Sequence, residues 1–194
     1  MADTSQTIRN FYTAAAAADF SRDFLFRVGA LRTPRLVLGE EELIYVRTAA
    51  LPGRDIGNVD VKYMGLSFNT PGGVTYPNSG SYNLEFYCDQ GSQLRERLMQ
   101  ESRDVFDDAT SVGSYNTPGP DSYIVLYQLD KQLVPVTQYT LYGVSIRNVG
   151  EISYEIADGT GNYKTFSATF AYHYFTNELP ADATSVPSPF PNLQ

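Results

Sequence analysis

The hydrophobic and polar positions of this chain change period once in mid-sequence, and the change predicts a strand running into a helix. From Asn83 to Cys88 they alternate, with Leu84, Phe86 and Cys88 on one side and Asn83, Glu85 and Tyr87 on the other. That is the two-residue period of a strand with one buried face. Gly91 breaks the strand, and Ser92 stands where its hydroxyl can accept from the free N–H groups of a first helical turn. Beyond it Leu94, Leu98, Val105 and Phe106 share one stripe, with Met99 on its flank. Arg95, Glu96, Arg97, Gln100, Glu101, Arg103, Asp104 and Asp107 take the opposite side. The spacing predicts an amphipathic helix packing Leu94, Leu98, Val105 and Phe106 against a sheet.

Nearly everything else regular reads as strand. A short helix is predicted within residues 1–19, with Ile8, Phe11 and Tyr12 on one side and an alanine run behind them. Strands are predicted at Phe24–Ala30, Leu43–Leu51, Val59–Phe68, Tyr123–Leu129, Val136–Ile146 and Glu151–Ile156. A last strand turns at Asp158-Gly159-Thr160-Gly161 and alternates from Phe166 to Tyr174. Pro52-Gly53 interrupts the second strand, and the segments 70–80 and 109–120 read as exposed loops rich in Gly, Pro and Ser. From Pro180 onward four prolines leave little to pack. The expectation is one β-domain over residues 1–179 followed by an extended tail, 180–194. With no βαβ rhythm, the fold class is mainly β: two packed antiparallel sheets forming a barrel or sandwich, with one flanking helix.

Composition adds a sign and removes chemistry. The formal net charge of −8 disfavours non-specific attraction to DNA or to an anionic membrane. No apolar run reaches the roughly 18 residues of a membrane-spanning helix, so stable membrane association is not expected. The 15 tyrosines, with 11 phenylalanines and no tryptophan, suit half-buried strands and interfaces. Cys88 is the only cysteine, which excludes an intrachain disulfide and reads as a small buried hydrophobe. His173 is the only histidine, too few for a metal site of the usual kind or for an arguable catalytic triad. Gly72-Gly73 lacks the Lys-Ser/Thr of a phosphate loop. The runs Glu40-Glu41-Glu42 and Asp107-Asp108 read as solvated ends rather than as a calcium site or a catalytic pair. No catalytic residue, cofactor or metal is expected, which favours an assembly role.

Several segments, in order, resemble the tail tube proteins of T4-like contractile phages. Ala18 to Val28 is similar to their helix exit and first strand, and Thr48 to Gly53 to a Leu-Pro segment that follows. Val61 to Phe68, Tyr82 to Asp89 with the Arg-rich helix behind it, Gly143 to Ile156, and Phe166 to Tyr174 continue the series over roughly residues 10–175. The loops at 70–80 and 109–120 and the Pro-rich tail depart from the family.

The resemblance implies hexameric rings stacked into a tube inside a contractile sheath, assembled in the host cytoplasm and carried in the virion tail. The implied partners are other copies of the chain, the sheath, the baseplate and the tail terminator, with DNA passing through the lumen without specific binding. On that footing, Leu51, Pro52, Gly53, Arg54, Asp55 and Ile56 are expected to form a protruding loop between stacked rings. The hairpin-like pairs 43–51/59–68 and 123–132/137–146 are expected to line the lumen through Glu42, Thr48, Asp60, Lys62, Gln128, Asp130 and Gln132. The alternatives are the tube of a phage-derived injection device, a tube-end protein, and, from other classes, a monomeric ligand-binding β-barrel or a carboxylate-pair hydrolase.

Overall fold

Two antiparallel sheets face each other across a core made from their alternate residues. A computed structural model describes residues 4–17, 21–156 and 161–178. Helix α1 (Thr4–Ala17) is followed by β1 (Phe26–Arg32), β2 (Val37–Leu38), a one-turn helix α2 (Glu40–Leu43) and β3 (Val46–Ala49). Strands β4 (Asp55–Tyr63), β5 (Leu66–Thr75) and β6 (Tyr82–Tyr87) lead to helix α3 (Gln93–Val105). Then come β7 (Phe106–Asp107), β8 (Val112–Gly113), β9 (Tyr123–Leu129), β10 (Pro135–Tyr142), β11 (Ser145–Val149), β12 (Thr165–Ala171) and β13 (Tyr174–Glu178). One sheet has the order β13-β10-β9-β1-β2 and the other β11-β12-β6-β3, while β4-β5 and β7-β8 form separate two-stranded ribbons. Every recorded pairing is antiparallel. This is the mainly β, two-sheet architecture with a flanking helix; the sheets do not close into a barrel.

The alternating patterns explain which faces meet. Leu84 and Phe86 of β6 and Phe166, Ala168 and Phe170 of β12 are buried against Val28 and Leu31 of β1, Ile124 and Leu126 of β9, and Leu141 of β10. Helix α3 closes one flank by tying an edge of each sheet. Leu94 and Leu98 enter the core; Arg97 donates to the Val37 carbonyl at 2.9 Å, and Arg95 to the Gly150 carbonyl at 3.2 Å. On the same helix the buried Glu101 accepts a 2.7 Å hydrogen bond from the buried Thr33 hydroxyl, so neither polar group is left unpaired.

Several sequence expectations are corrected. Phe106 is 40% exposed because the helix ends at Val105, itself half-buried, and Phe106 turns extended to pair with Gly113. Ser92 does not cap α3 with its side chain: its φ is +52°, and the Asp89 carboxylate accepts the Gln93 N–H at 2.8 Å instead. Cys88 is half-buried, with its sulfur 3.4 Å from the Ser92 hydroxyl. Leu43–Leu51 is not one strand. The Glu42 carboxylate accepts the Gly39 N–H at 2.9 Å and sets the first turn of α2, leaving only Val46–Ala49 to pair, and with β6. Glu151–Ile156 forms no strand: the Gly150 N–H makes the last bond to β12, and Tyr154 and Ile156 beyond it are exposed.

Two long strands are each split where the chain changes sheet. Val136–Ile146 breaks at Gly143, whose φ of +70° turns β10 into β11 and whose missing Cβ leaves room for the His173 ring. The final run breaks at His173 itself, so Tyr174 belongs to β13 in the other sheet and is exposed. The exposed His173 ring thus lies over Gly143 at a sheet-switching corner. The turn at 158–160 and the tail 180–194 lie outside the described residues.

Candidate assembly surface

The segment between β3 and β6 leaves the sandwich as a ribbon. β4 and β5 form a hairpin whose two-residue loop, Met64-Gly65, has both φ values positive, at +48° and +81°. Turns of that kind match the twist of the flanking strands. At about 3.3 Å per residue the nine residues of β4 reach about 30 Å. Pro71, Gly72 and Gly73 lie inside β5 and not in a loop, beside a register shift at Gly57. A side chain at Gly72 would meet Val59 and the Gly57 carbonyl at 3.0–3.1 Å, so that close approach depends on glycine.

Register sorts the hairpin into two unlike faces. Val59 opposite Thr70, Val61 opposite Phe68, and Tyr63 opposite Leu66 make one face. Asn58 opposite Pro71, Asp60 opposite Asn69, and Lys62 opposite Ser67 make the other. All of β4 is exposed, and Val59, Val61, Tyr63, Leu66 and Phe68 each keep between 48% and 66% of their surface in water. A lone two-stranded ribbon is marginal by itself, and an exposed apolar strand face invites pairing with another chain. Covering these half-exposed side chains would contribute on the order of 1 kcal/mol each.

The root of the hairpin is clamped to the sandwich. On the incoming side the buried Tyr82 hydroxyl donates to the Ala50 carbonyl at 2.6 Å. On the outgoing side Tyr76 packs edge-on against Phe175 with centroids 5.5 Å apart and tilts onto Tyr172, which itself meets Tyr82 edge-on at 5.9 Å. Burial, and then the neighbouring Tyr172, push the Tyr82 phenol above its ordinary range, and burial likewise raises Tyr172.

The residues expected at the stacked-ring contact and along the lumen lie on several different elements of the single chain. Leu51 lies at the mouth of a cavity in the sandwich, and Pro52, Gly53 and Arg54 lead up to β4. Asp55 and Ile56 are its first two residues, so the projecting element is the whole hairpin and not a loop at 51–58. The pair 43–51/59–68 does not exist: β3 pairs with β6, and β4 with β5. Asp60 and Lys62 stand together on the hairpin's polar face. Thr48 bonds Glu85 within its own sheet at 3.4 Å, and Glu42 receives Arg97 beside α3. Gln128 is the last residue but one of β9, next to the β9–β10 turn where Asp130 accepts the Gln132 and Val134 N–H groups at 2.7 and 2.9 Å. Asp130 therefore shapes a turn, and reversing its charge would disturb that turn. The signal missed was the alternation on both sides of Met64-Gly65; the proline and glycines of 71–73 masked it.

Among the described residues no group of three or more His, Cys, Asp or Glu is placed to hold a metal, and no helix is long and apolar enough to cross a membrane. No protein-family model and no curated protein sequence matches the chain. Solved structures do match. A chain of the anti-feeding prophage baseplate superposes with a TM-score of 0.55 at 15% identity, covering 83% of this chain and 95% of the other. A chain of the sheath/tube terminator of the extracellular contractile injection system PVC gives 0.57 at 8% identity, over 83% and 98%. A chain of the PVC sheath–tube complex in its extended state gives 0.51 at 11% identity, over 93% and 100%. At these identities the likeness is one of fold, and the protein shares its fold with component chains of contractile injection systems.

Proposed function

We propose that the protein is a structural, non-enzymatic subunit that assembles with copies of itself into hexameric rings, stacked as the inner tube of a contractile tail. The observation that carries the reading is the β4–β5 hairpin: a whole apolar face in water on a clamped ribbon, in a fold shared with parts of contractile injection systems. A second copy is the partner that suits it, because a ring covers every such face at once and hides strand edges. The ring-to-ring contact lies along the hairpin, with Leu51 to Ile56 at its root. Its polar face then turns to the lumen, where Asp60 and Lys62 carry opposite charges and offer phosphate no net attraction. On this reading the subunit sits in the tail of a phage particle with sheath, baseplate and terminator as partners, and DNA slides through without specific binding.

Negative-stain microscopy of the purified protein tests the class. Rings or tubes are expected. Single chains at every concentration, with or without a bound small molecule, would overturn the proposal.

A further inference from the structure

A cavity of about 150 Å³ enters the sandwich between the start of β1 and the end of β3, with Phe26 and Leu126 on one wall and Ala50 and Leu51 on the other. Leu126 is buried at its floor, whereas Leu51 at its rim is 45% exposed. An apolar cavity of about that size takes a guest no larger than benzene, so this one suits a single side chain and is small for a drug-sized ligand. Arg22 and Asp23 put one charge of each sign at its mouth.

The cavity lies at the root of the projecting hairpin. Ala50 and Leu51 lead into β4, and the Tyr82 hydroxyl holds the Ala50 carbonyl at 2.6 Å. At the far end of the ribbon stands the Met64-Gly65 turn, where Met64 is 86% exposed, more than any apolar side chain along the two strands. The nine residues of β4 put about 30 Å between root and tip, so a chain cannot reach its own cavity with its own tip. Another copy can. A tip-to-root contact is head-to-tail, and it repeats from one copy to the next. Methionine is flexible and fills irregular apolar space well. Just behind the tip, Asp60 and Lys62 share the polar face and offer partners of opposite sign to Arg22 and Asp23. Exposed pairs of this kind add little energy but fix the way round in which the tip enters.

We infer that Met64 of one copy seats between Phe26 and Leu51 of the next, with Lys62 toward Asp23, so that each hairpin tip enters the root of its neighbour's hairpin. The contact rests on the reading of the chain as a self-assembling subunit, and it gives that assembly a direction. Every subunit offers one tip and one socket.

The test mixes two chains, one carrying Met64→Cys and the other Ala50→Cys, both in a Cys88→Ser background, under mild oxidation. Both positions are exposed, so the substitutions should leave the fold intact. A disulfide joining position 64 of one chain to position 50 of the other, identified by mass spectrometry of the digest, is expected within particles at multiples of the subunit mass. Particles without that bond, or with 64–64 bonds in its place, would overturn the socket and leave self-assembly standing. Single chains only, from wild type as well, would overturn both. The wild-type chain supplies a second reading free of any substitution. Peroxide should convert Met64 to its sulfoxide about tenfold more slowly in particles than in dilute single chains, with the half-buried Met99 as reference. Equal rates at Met64 in particles and single chains would overturn the socket.

Discussion

Tyr82 carries two loads at the residue scale: its ring is buried between the sheets, and its hydroxyl holds the chain at Ala50 just before the hairpin. Burial raises its ionisation in the fold, whereas in the unfolded chain the phenol ionises near its ordinary value of about 10. The folded value is the higher one, so the stabilisation is fully present below pH ~10 and drains away as the pH rises above it. Urea midpoints should therefore fall as the pH rises above ~10, and fall less steeply in Tyr82→Phe. At neutral pH that variant should lose about 0.5–1.5 kcal/mol for the missing hydrogen bond. Equal slopes for the two proteins would show that Tyr82 is not the group responsible. Residue roles of this kind were poorly legible in the sequence. The sequence pointed to Ser92 as the cap of α3, and only the backbone at Ser92, with φ of +52°, hands that role to Asp89.

At the scale of elements, α3 was legible because two patterns agreed, a change of period and a stripe of Leu94 and Leu98. Both side chains are buried, Leu98 completely. Leu98→Ala should cost roughly 2–5 kcal/mol in chemical denaturation, since the cavity left between two sheets and a helix cannot readily collapse. A variant as stable as wild type would contradict this packing. The buried face of β12 was legible from clean alternation, and β9 and β10 from two apolar runs on either side of turn residues. The region 40–75 was not. There a three-glutamate run starts a helix as the Glu42 carboxylate takes the Gly39 N–H, and Pro71-Gly72-Gly73, normally a loop signal, sits inside a strand next to a shifted register. Local signals were overruled by pairing that only the assembled hairpin reveals.

For the whole molecule, the two-sheet body with one strapped helix follows from period and composition, whereas the division of strands between sheets does not. Gly143 and His173 send consecutive strands to different layers, and nothing in the alternation announces either corner. The surface has the same character. Five apolar side chains on one face of a projecting ribbon make sense for a chain that is completed by its neighbours.

That claim is tested most directly by mass photometry of wild type beside the double variant Val61→Lys, Phe68→Asp, which puts opposite charges on a cross-strand pair. Both positions are already half in water, so the variant should fold, with a circular dichroism spectrum and an unfolding midpoint close to those of wild type. The account predicts wild-type particles at multiples of the subunit mass, six-fold rings among them, and single chains for the variant. Assembly of the variant equal to that of wild type would contradict the assignment of the hairpin's apolar face as the surface that neighbouring copies cover.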